Sequence, residues 1–274
     1  MTTPTFDRAE LAAGLSEQWN ALARLTTGLT ERRWRTPSPL PGWTAFDVLA
    51  HVIGIESILL GEPTPTVEAE VTAFGHVRNQ VGELNETWVE SLRPLTGERL
   101  RERFVEVAER RRKALAAMSE ADWQQPTPSP VGVVPYGRFM RTRLFDCWMH
   151  ELDIADALGV PVDEGGVRAE LALDEIVPYL GRTLVKRGGA PAGSRITVEL
   201  TGPVTRTLHV RVEERAELVA ALDRPADVVI RLGSGLFARL CGGRVRAADH
   251  ADAIELSCDT ELGRRLADHL GFTI

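Results

Sequence analysis

The spacing of apolar residues changes once along the chain, and that change constrains what it can fold into. Up to about residue 185 apolar positions recur every three or four residues, whereas from Ser194 they alternate. A helix buries one stripe of its surface and a strand buries one face, so the two patterns in succession predict two regions built differently. The tryptophans divide the same way, since all six lie at or before Trp148.

In the first region Leu11, Leu15, Trp19, Leu22, Leu25 and Leu29 predict an opening helix over 6–34, ended by the Pro-rich stretch Thr36-Pro-Ser-Pro-Leu-Pro-Gly42. Thr44 with Asp47 three residues on reads as a capping-box start, and Val48, Val52, Ile55 and Leu59 carry that helix to Gly61-Glu-Pro63. Phe74, Val77, Val81, Leu84, Trp88 and Leu92 predict a third helix. Leu100, Phe104, Val107 and Leu115 predict a fourth, whose basic run 110–113 reads as a solvated face. Residues 124–137, with four prolines and two glycines, read as a long loop. A helix from Phe139 to Leu158 closes at Gly159 and Pro161, and another covers Val167 to Val185.

In the second region Ile196, Val198 and Leu200 alternate, the chain turns at Thr201-Gly-Pro203, and Leu208, Val210 and Val212 alternate again, a hairpin or meander pattern. Val228 to Leu232 and Ala253 to Ser257 are further strand candidates. A short helix runs from Gly233-Ser-Gly235 to Cys241, with Ser234 as its expected cap, and a closing helix covers Thr260 to Leu270. The expected organisation is a helical bundle over 1–160, a connecting helix and linker over 161–190, and a small α+β domain over 191–274.

Composition narrows the function classes. With 43% hydrophobic residues in 274 the chain can bury a full core. It carries 39 acidic against 32 basic side chains, a formal charge of -7, which argues against an overall electrostatic grip on nucleic acid. No apolar run reaches the roughly 18 residues of a membrane span, and the opening MTTPTFDRAE lacks the pattern of a secretory signal. Cys147, Cys241 and Cys258 are odd in number and widely separated, as expected of free thiols in a reducing cytoplasm.

Three residues stand out chemically. Asp146 and His150 are four apart, so a helix presents them on one face about one turn apart, and His51 on a neighbouring helix would add a second imidazole. Two nitrogens and a carboxylate make a three-ligand site for Zn²⁺, Fe²⁺ or Mn²⁺, with a position left for water or substrate. A metal there lowers the pKa of a bound water or thiol and stabilises the resulting nucleophile. Taken alone, Asp146 and His150 equally describe an ordinary i,i+4 pair, and His51 a hydrogen-bonded surface histidine. Asp153 is placed to accept the free ring N–H of His150 or merely to face water, and Arg143 to orient Asp146 or to form a plain salt bridge. Cys147 lies about 100° round the helix from Asp146 and reads as packing. His76, His209, His250 and His269 show no ligand spacing.

The segment from Pro37 to His51, with Pro41-Gly-Trp-Thr-Ala-Phe-Asp-Val-Leu-Ala-His51, resembles the PGW(T/S)xxDLxxH signature of the mycothiol-dependent maleylpyruvate isomerase family. Arg143-Leu-Phe-Asp-Cys-Trp-Met-His150, continuing to Gly159, resembles that family's second signature, RxxExxxHxxDLxxALG. The stretches 227–232, 237–244 and 254–262 are similar to its C-terminal domain, which is related to sterol-carrier-type folds. The resemblance spans nearly the whole chain. It implies a fold of α plus α+β class, a DinB-like four-helix bundle followed by a small α+β C-terminal domain.

The resemblance also implies a metal site at His51, Asp146 and His150, with zinc the foremost metal. Asp146 stands where the family has glutamate, one methylene longer, which bears on metal position, denticity and preference. It further implies mycothiol, the thiol of actinobacteria, as cosubstrate, and an arginine of the C-terminal domain at the active site, for which Arg244 and Arg239 are the candidates as substrate anion contacts. The partners expected are a small-molecule substrate and a low-molecular-weight thiol, with no nucleic acid and no membrane, and the chain as monomer or homodimer. The expected activity is isomerisation or S-transfer on a small electrophile. Its rivals are a silent small-molecule or lipid-binding module, favoured by the aspartate, and a metal hydrolase.

Overall fold

The computed structural model describes residues 7–130 and 132–272, and the chain clusters as two units divided between Val162 and Asp163. The first unit contains α1 (Arg8–Leu25), the short α2 (Glu31–Trp34), α3 (Ala45–Leu59), α4 (Gln80–Leu92), α5 (Gly97–Ala117), the short α6 (Glu120–Trp123) and α7 (Tyr136–Leu158). Helices α1, α3, α5 and α7 make the bundle: α1 and α3 each pack against both α5 and α7, and α4 packs against α3. Helix α3 is the most enclosed, with Ala45, Phe46, Val48, Leu49, Ala50, Val52 and Ile53 all at 0% exposure. Burying that many apolar side chains, at about 1.5–3 kcal/mol for each large one, holds α3 in register in the middle of the unit.

The start of α3 is fixed locally. Thr44 and Asp47 form the expected capping box, and Asp47 also accepts from Nε of Arg93 at 3.0 Å. Just before it Gly42 has φ +81°, and a Cβ there would meet His76 Nδ1 at 2.4 Å. The Pro-Gly-Trp turn therefore needs glycine both for its left-handed backbone and for the close approach of His76.

Three expectations for this unit need correction. The opening helix does not run over 6–34: it stops at Leu25, the Thr26 hydroxyl donates to the Leu22 carbonyl, and Gly28 at φ +68° separates it from α2. The third apolar stripe is helical only from Gln80, because Asn79 accepts from the Gly82 amide and caps the helix there; the residues before it form a 3₁₀ turn, Val71–Ala73, and loop. Residues 124–137 are not all loop. They hold an antiparallel hairpin, β1 (Pro126–Ser129) with β2 (Gly132–Pro135), packed against α7.

In the second unit α8 (Gly166–Lys186) precedes a five-stranded sheet of β3 (Arg195–Thr201), β4 (Arg206–Val212), β5 (Ala216–Val219), β6 (Val228–Gly233) and β7 (Ile254–Cys258). The order is β5-β4-β3-β6-β7, with β3 and β6 parallel and the other neighbours antiparallel. Register places Ile196 beside Val210 and Val228, and Val198 beside Leu208 and Ile230, so the alternating residues line up across three strands into one apolar face. Helix α8 packs on β4 and β5, while α9 (Ser234–Cys241) and α10 (Thr260–Ala267) pack on strands of the same sheet. Strand β5, which the sequence reading did not foresee, forms an edge. The class is thus α followed by α+β. Among the described residues no helix is long and apolar enough to cross a membrane.

Candidate metal centre

The packing of α3 against α7 brings His51 to Asp146 and His150. The ligand atoms of the three all lie within 4.8 Å of one another. His51 Nε2 is 3.4 Å from Asp146 Oδ2, and His150 Nε2 is 3.5 Å from Asp146 Oδ1, so each imidazole faces a different oxygen of one carboxylate. The two rings meet edge to face with centroids 4.8 Å apart. Both histidines are buried, whereas Asp146 keeps 32% of its side chain exposed, which leaves the cluster one open side.

The two histidine–aspartate separations suit a cation, around which the wider spacings, up to 4.8 Å, would have to contract. Nitrogen and oxygen ligands at ~2.0–2.2 Å from a tetrahedral metal stand ~3.4 Å from one another. The tautomers suit it as well. His150 Nδ1 lies 2.9 Å from a carboxylate oxygen of the fully buried Asp153, which leaves Nε2 as the nitrogen facing Asp146. His51 Nδ1 is buried and finds no hydrogen-bond partner among the described residues.

Electrostatics distinguishes the two histidines. Burial lowers the pKa of His51 below its ordinary value, outweighing the neighbouring Asp146. Burial also works against a charge on His150, but the Asp146 carboxylate and the bonds to Asp146 and Asp153 prevail and push it up to about 9. Asp146, although burial opposes its charge, is held well below the usual carboxylate range by His150 and Arg143.

Beneath the cluster runs a chain of charges of which the sequence reading had foreseen only the link from Arg143 to Asp146, and not Glu56 or Arg111. Arg143 donates from Nη1 to Asp146 Oδ2 at 2.5 Å, and from Nε and Nη2 to Glu56 Oε1 at 3.2 and 3.0 Å. Arg111 Nε donates to the other Glu56 oxygen at 2.7 Å, and its Nη2 to the Tyr136 hydroxyl at 2.9 Å. Arg111 is only 1% exposed, so the basic run 110–113 is not wholly a solvated face. The signal was present: Arg111 stands four residues after Val107 and four before Leu115, inside the apolar stripe of α5. Cys147 is buried beside Arg143, as packing requires, and burial pushes its thiol pKa upward.

On the other side Trp43 lays its indole 5.3 Å, centroid to centroid, from the His51 ring. Its Nε1 donates to buried Glu86 at 2.7 Å, and the same Glu86 oxygen faces His76 Nε2 at 2.8 Å. Neither Trp43 nor Glu86 had been picked out as a site residue.

Arg239 and Arg244 belong to the second unit. Arg239 pairs with Glu164 at 2.8 Å and donates to the Gly235 carbonyl, and Arg244 donates to the Gly242 carbonyl. Ser234 does not cap α9 as expected; its hydroxyl accepts from the Val204 amide at 3.3 Å, and Gly233 holds the cap position.

The chain is thus a helical bundle that gathers two histidines and a carboxylate, followed by an α+β unit built on a five-stranded sheet. Residues 15–155 match the mycothiol maleylpyruvate isomerase N-terminal domain, and residues 170–265 match the C-terminal domain described as MDMPI. The chain belongs to the mycothiol maleylpyruvate isomerase family. Two uncharacterized proteins, from two strains of Mycobacterium tuberculosis, are 26% identical to it over 212 residues, covering 72% of this chain and 75% of theirs. The crystal structure of the mycothiol-dependent maleylpyruvate isomerase aligns with a TM-score of 0.60 at 18% identity, over 92% of this chain and 93% of that one. A variant of that protein with alanine in place of one histidine gives 0.59. At such identity the likeness is one of fold.

Proposed function

We propose that this protein is a metal-dependent enzyme that uses a low-molecular-weight thiol, mycothiol, either to isomerise a small electrophilic substrate or as the group it transfers to that substrate through sulfur. The observation that carries the reading is the placement of two imidazole nitrogens at 3.4 and 3.5 Å from separate oxygens of Asp146. Family membership supplies the thiol and the reaction class.

His51, Asp146 and His150 would hold one divalent cation, with zinc first among the metals that take such ligands. Such a cation supplies the positive charge that keeps a thiol ionised near neutral pH. The chain's own groups do the rest. Asp153 holds the Nδ1 side of His150 and so keeps Nε2 turned to the cluster. Trp43 shields one face of His51. The exposed side of Asp146 is where thiol and substrate enter. Arg239 and Arg244 are candidate contacts for an anionic part of the substrate, and charge-removing substitutions at each test that role.

A second reading, a binding module without turnover, is favoured by one observation. The carboxylate at 146 is aspartate, shorter than the family's glutamate.

The test starts with the metal content of purified protein, measured by elemental mass spectrometry beside His51→Ala. About one zinc, iron or manganese per chain, lost in the variant, is expected, followed by turnover of electrophiles only when mycothiol is present. Metal binding without thiol-dependent turnover favours the binding module, and turnover without added thiol favours a metal hydrolase. Absence of metal from both proteins after reconstitution overturns the catalytic reading.

A further inference from the structure

We propose that Glu56 is a positioning residue which, through Arg143, sets where the Asp146 carboxylate stands for metal binding. The inference rests on the metal reading above and names the part of the chain that makes the site work with a short acid. Asp146 has a partly exposed side chain and two rotatable bonds, so its carboxylate has solvent available as an alternative to the two imidazoles. Arg143 removes that freedom by holding Oδ2, the oxygen that also faces His51, and Oδ1 is then turned to His150.

Arg143 is itself held. Its Nε and Nη2 both point to one oxygen of Glu56, leaving Nη1 as the end of the fork that reaches Asp146. Glu56 cannot turn away without abandoning Arg111, whose Nε takes its second oxygen. Glu56, Arg111 and Arg143 are each no more than 3% exposed, and they tie α3, α5 and α7 together. A buried ion network of this kind adds little net stability compared with an apolar core, so stability alone accounts poorly for it. What it does provide is a guanidinium with its orientation determined from behind and one edge presented to a ligand carboxylate. Groups that orient metal ligands in this way typically contribute 10–100-fold to metal affinity.

The experiment loads metal-free full-length protein with Co²⁺, whose visible bands report ligand geometry. Affinity is measured by chelator competition, the spectrum is recorded at saturating cobalt, and folding is checked by circular dichroism. In Glu56→Gln, close in shape to the native residue, binding is expected to weaken about 10–100-fold, with a shifted visible band in the saturated protein. Arg143→Lys keeps the charge but cannot span Glu56 and Asp146, and it is expected to do the same. A role confined to folding would leave the spectrum of the saturated variant unchanged.

Folded Glu56→Gln with wild-type affinity and spectrum overturns the proposal. Should Glu56→Gln not fold, Arg143→Lys decides in the same way, wild-type affinity and spectrum counting against it. Wild-type protein that takes up no cobalt overturns the metal reading and this inference together. Wild-type binding matched by both variants overturns this inference alone.

Discussion

His150 points its Nδ1 at Asp153, 2.9 Å away, and Asp153 is fully buried with that nitrogen as its partner. One histidine of the cluster is thus oriented from behind, while the other, His51, has a buried Nδ1 that no described residue satisfies. Removing the carboxylate frees His150 to rotate and to change tautomer. Asp153→Ala is expected to weaken zinc binding about 10–100-fold in competition with a coloured chelator, and Asp153→Asn to weaken it less. Unchanged affinity in folded Asp153→Ala would show that His150 is held by packing instead.

Acid should dismantle the network beneath the site. Burial opposes the charge of Glu56, but Arg143 and Arg111 together outweigh burial and hold its pKa below the ordinary 4.5. A carboxylate with a depressed folded-state pKa contributes stability that is fully present above its unfolded value and is lost as pH falls toward the folded one. At neutral pH Glu56→Gln, which leaves buried Arg111 without its carboxylate partner and Arg143 with Asp146 alone, is expected to cost about 3–5 kcal/mol in urea unfolding. The gap from wild type should narrow as pH drops below about 4.5. A gap that stays constant down to pH 3 would mean that folding leaves the Glu56 pKa where it is in the unfolded chain.

Spacing put Asp146 and His150 on one helix face but described an ordinary ion pair equally well. Only the resemblance of the turn-and-cap segment and of the second motif singled out His51, Asp146 and His150 together, and the structure brings those three side chains to one place. The change of period near residue 190 located the α+β unit. What escaped depended on partners far away in sequence. Glu56 looks like a stray acid in an apolar helix until Arg111 and Arg143 arrive from α5 and α7. Arg111 was absorbed into a basic run although its position in the stripe marked it as inward-facing. The β1–β2 hairpin was hidden by prolines, which are tolerated here because a two-stranded ribbon leaves half of its backbone N–H groups unpaired. Leu29 continued the apolar spacing of α1, but Gly28 at positive φ broke the helix first.

The turn that leads into α3 offers a separate test. Gly42→Ala must place a Cβ in the left-handed region and against the His76 ring, which itself reaches Glu86. A left-handed backbone costs a non-glycine residue about 1–2 kcal/mol, and displacement of His76 adds to that. Urea unfolding should show a loss of at least that size with α-helical content preserved at low denaturant. A variant as stable as wild type would mean that the turn relaxes to a right-handed form and that His76 has room to move.

Metal removal should register as a loss of stability in the native protein alone. A ligand that binds only the folded state, present at 100 times its dissociation constant, stabilises by about 2.7 kcal/mol. For a folded unit of some 150 residues that corresponds to a drop of roughly 5–10 °C in melting temperature when a chelator takes the metal away. His51→Ala and Asp146→Asn each remove one ligand of the cluster, so their melting temperatures should stay flat across the same chelator and zinc titrations. Scanning fluorimetry on the three proteins separates the alternatives. A zinc response confined to wild type assigns the binding to these residues, a response shared by all three assigns it elsewhere in the chain, and no response in any removes the basis for metal chemistry at this site.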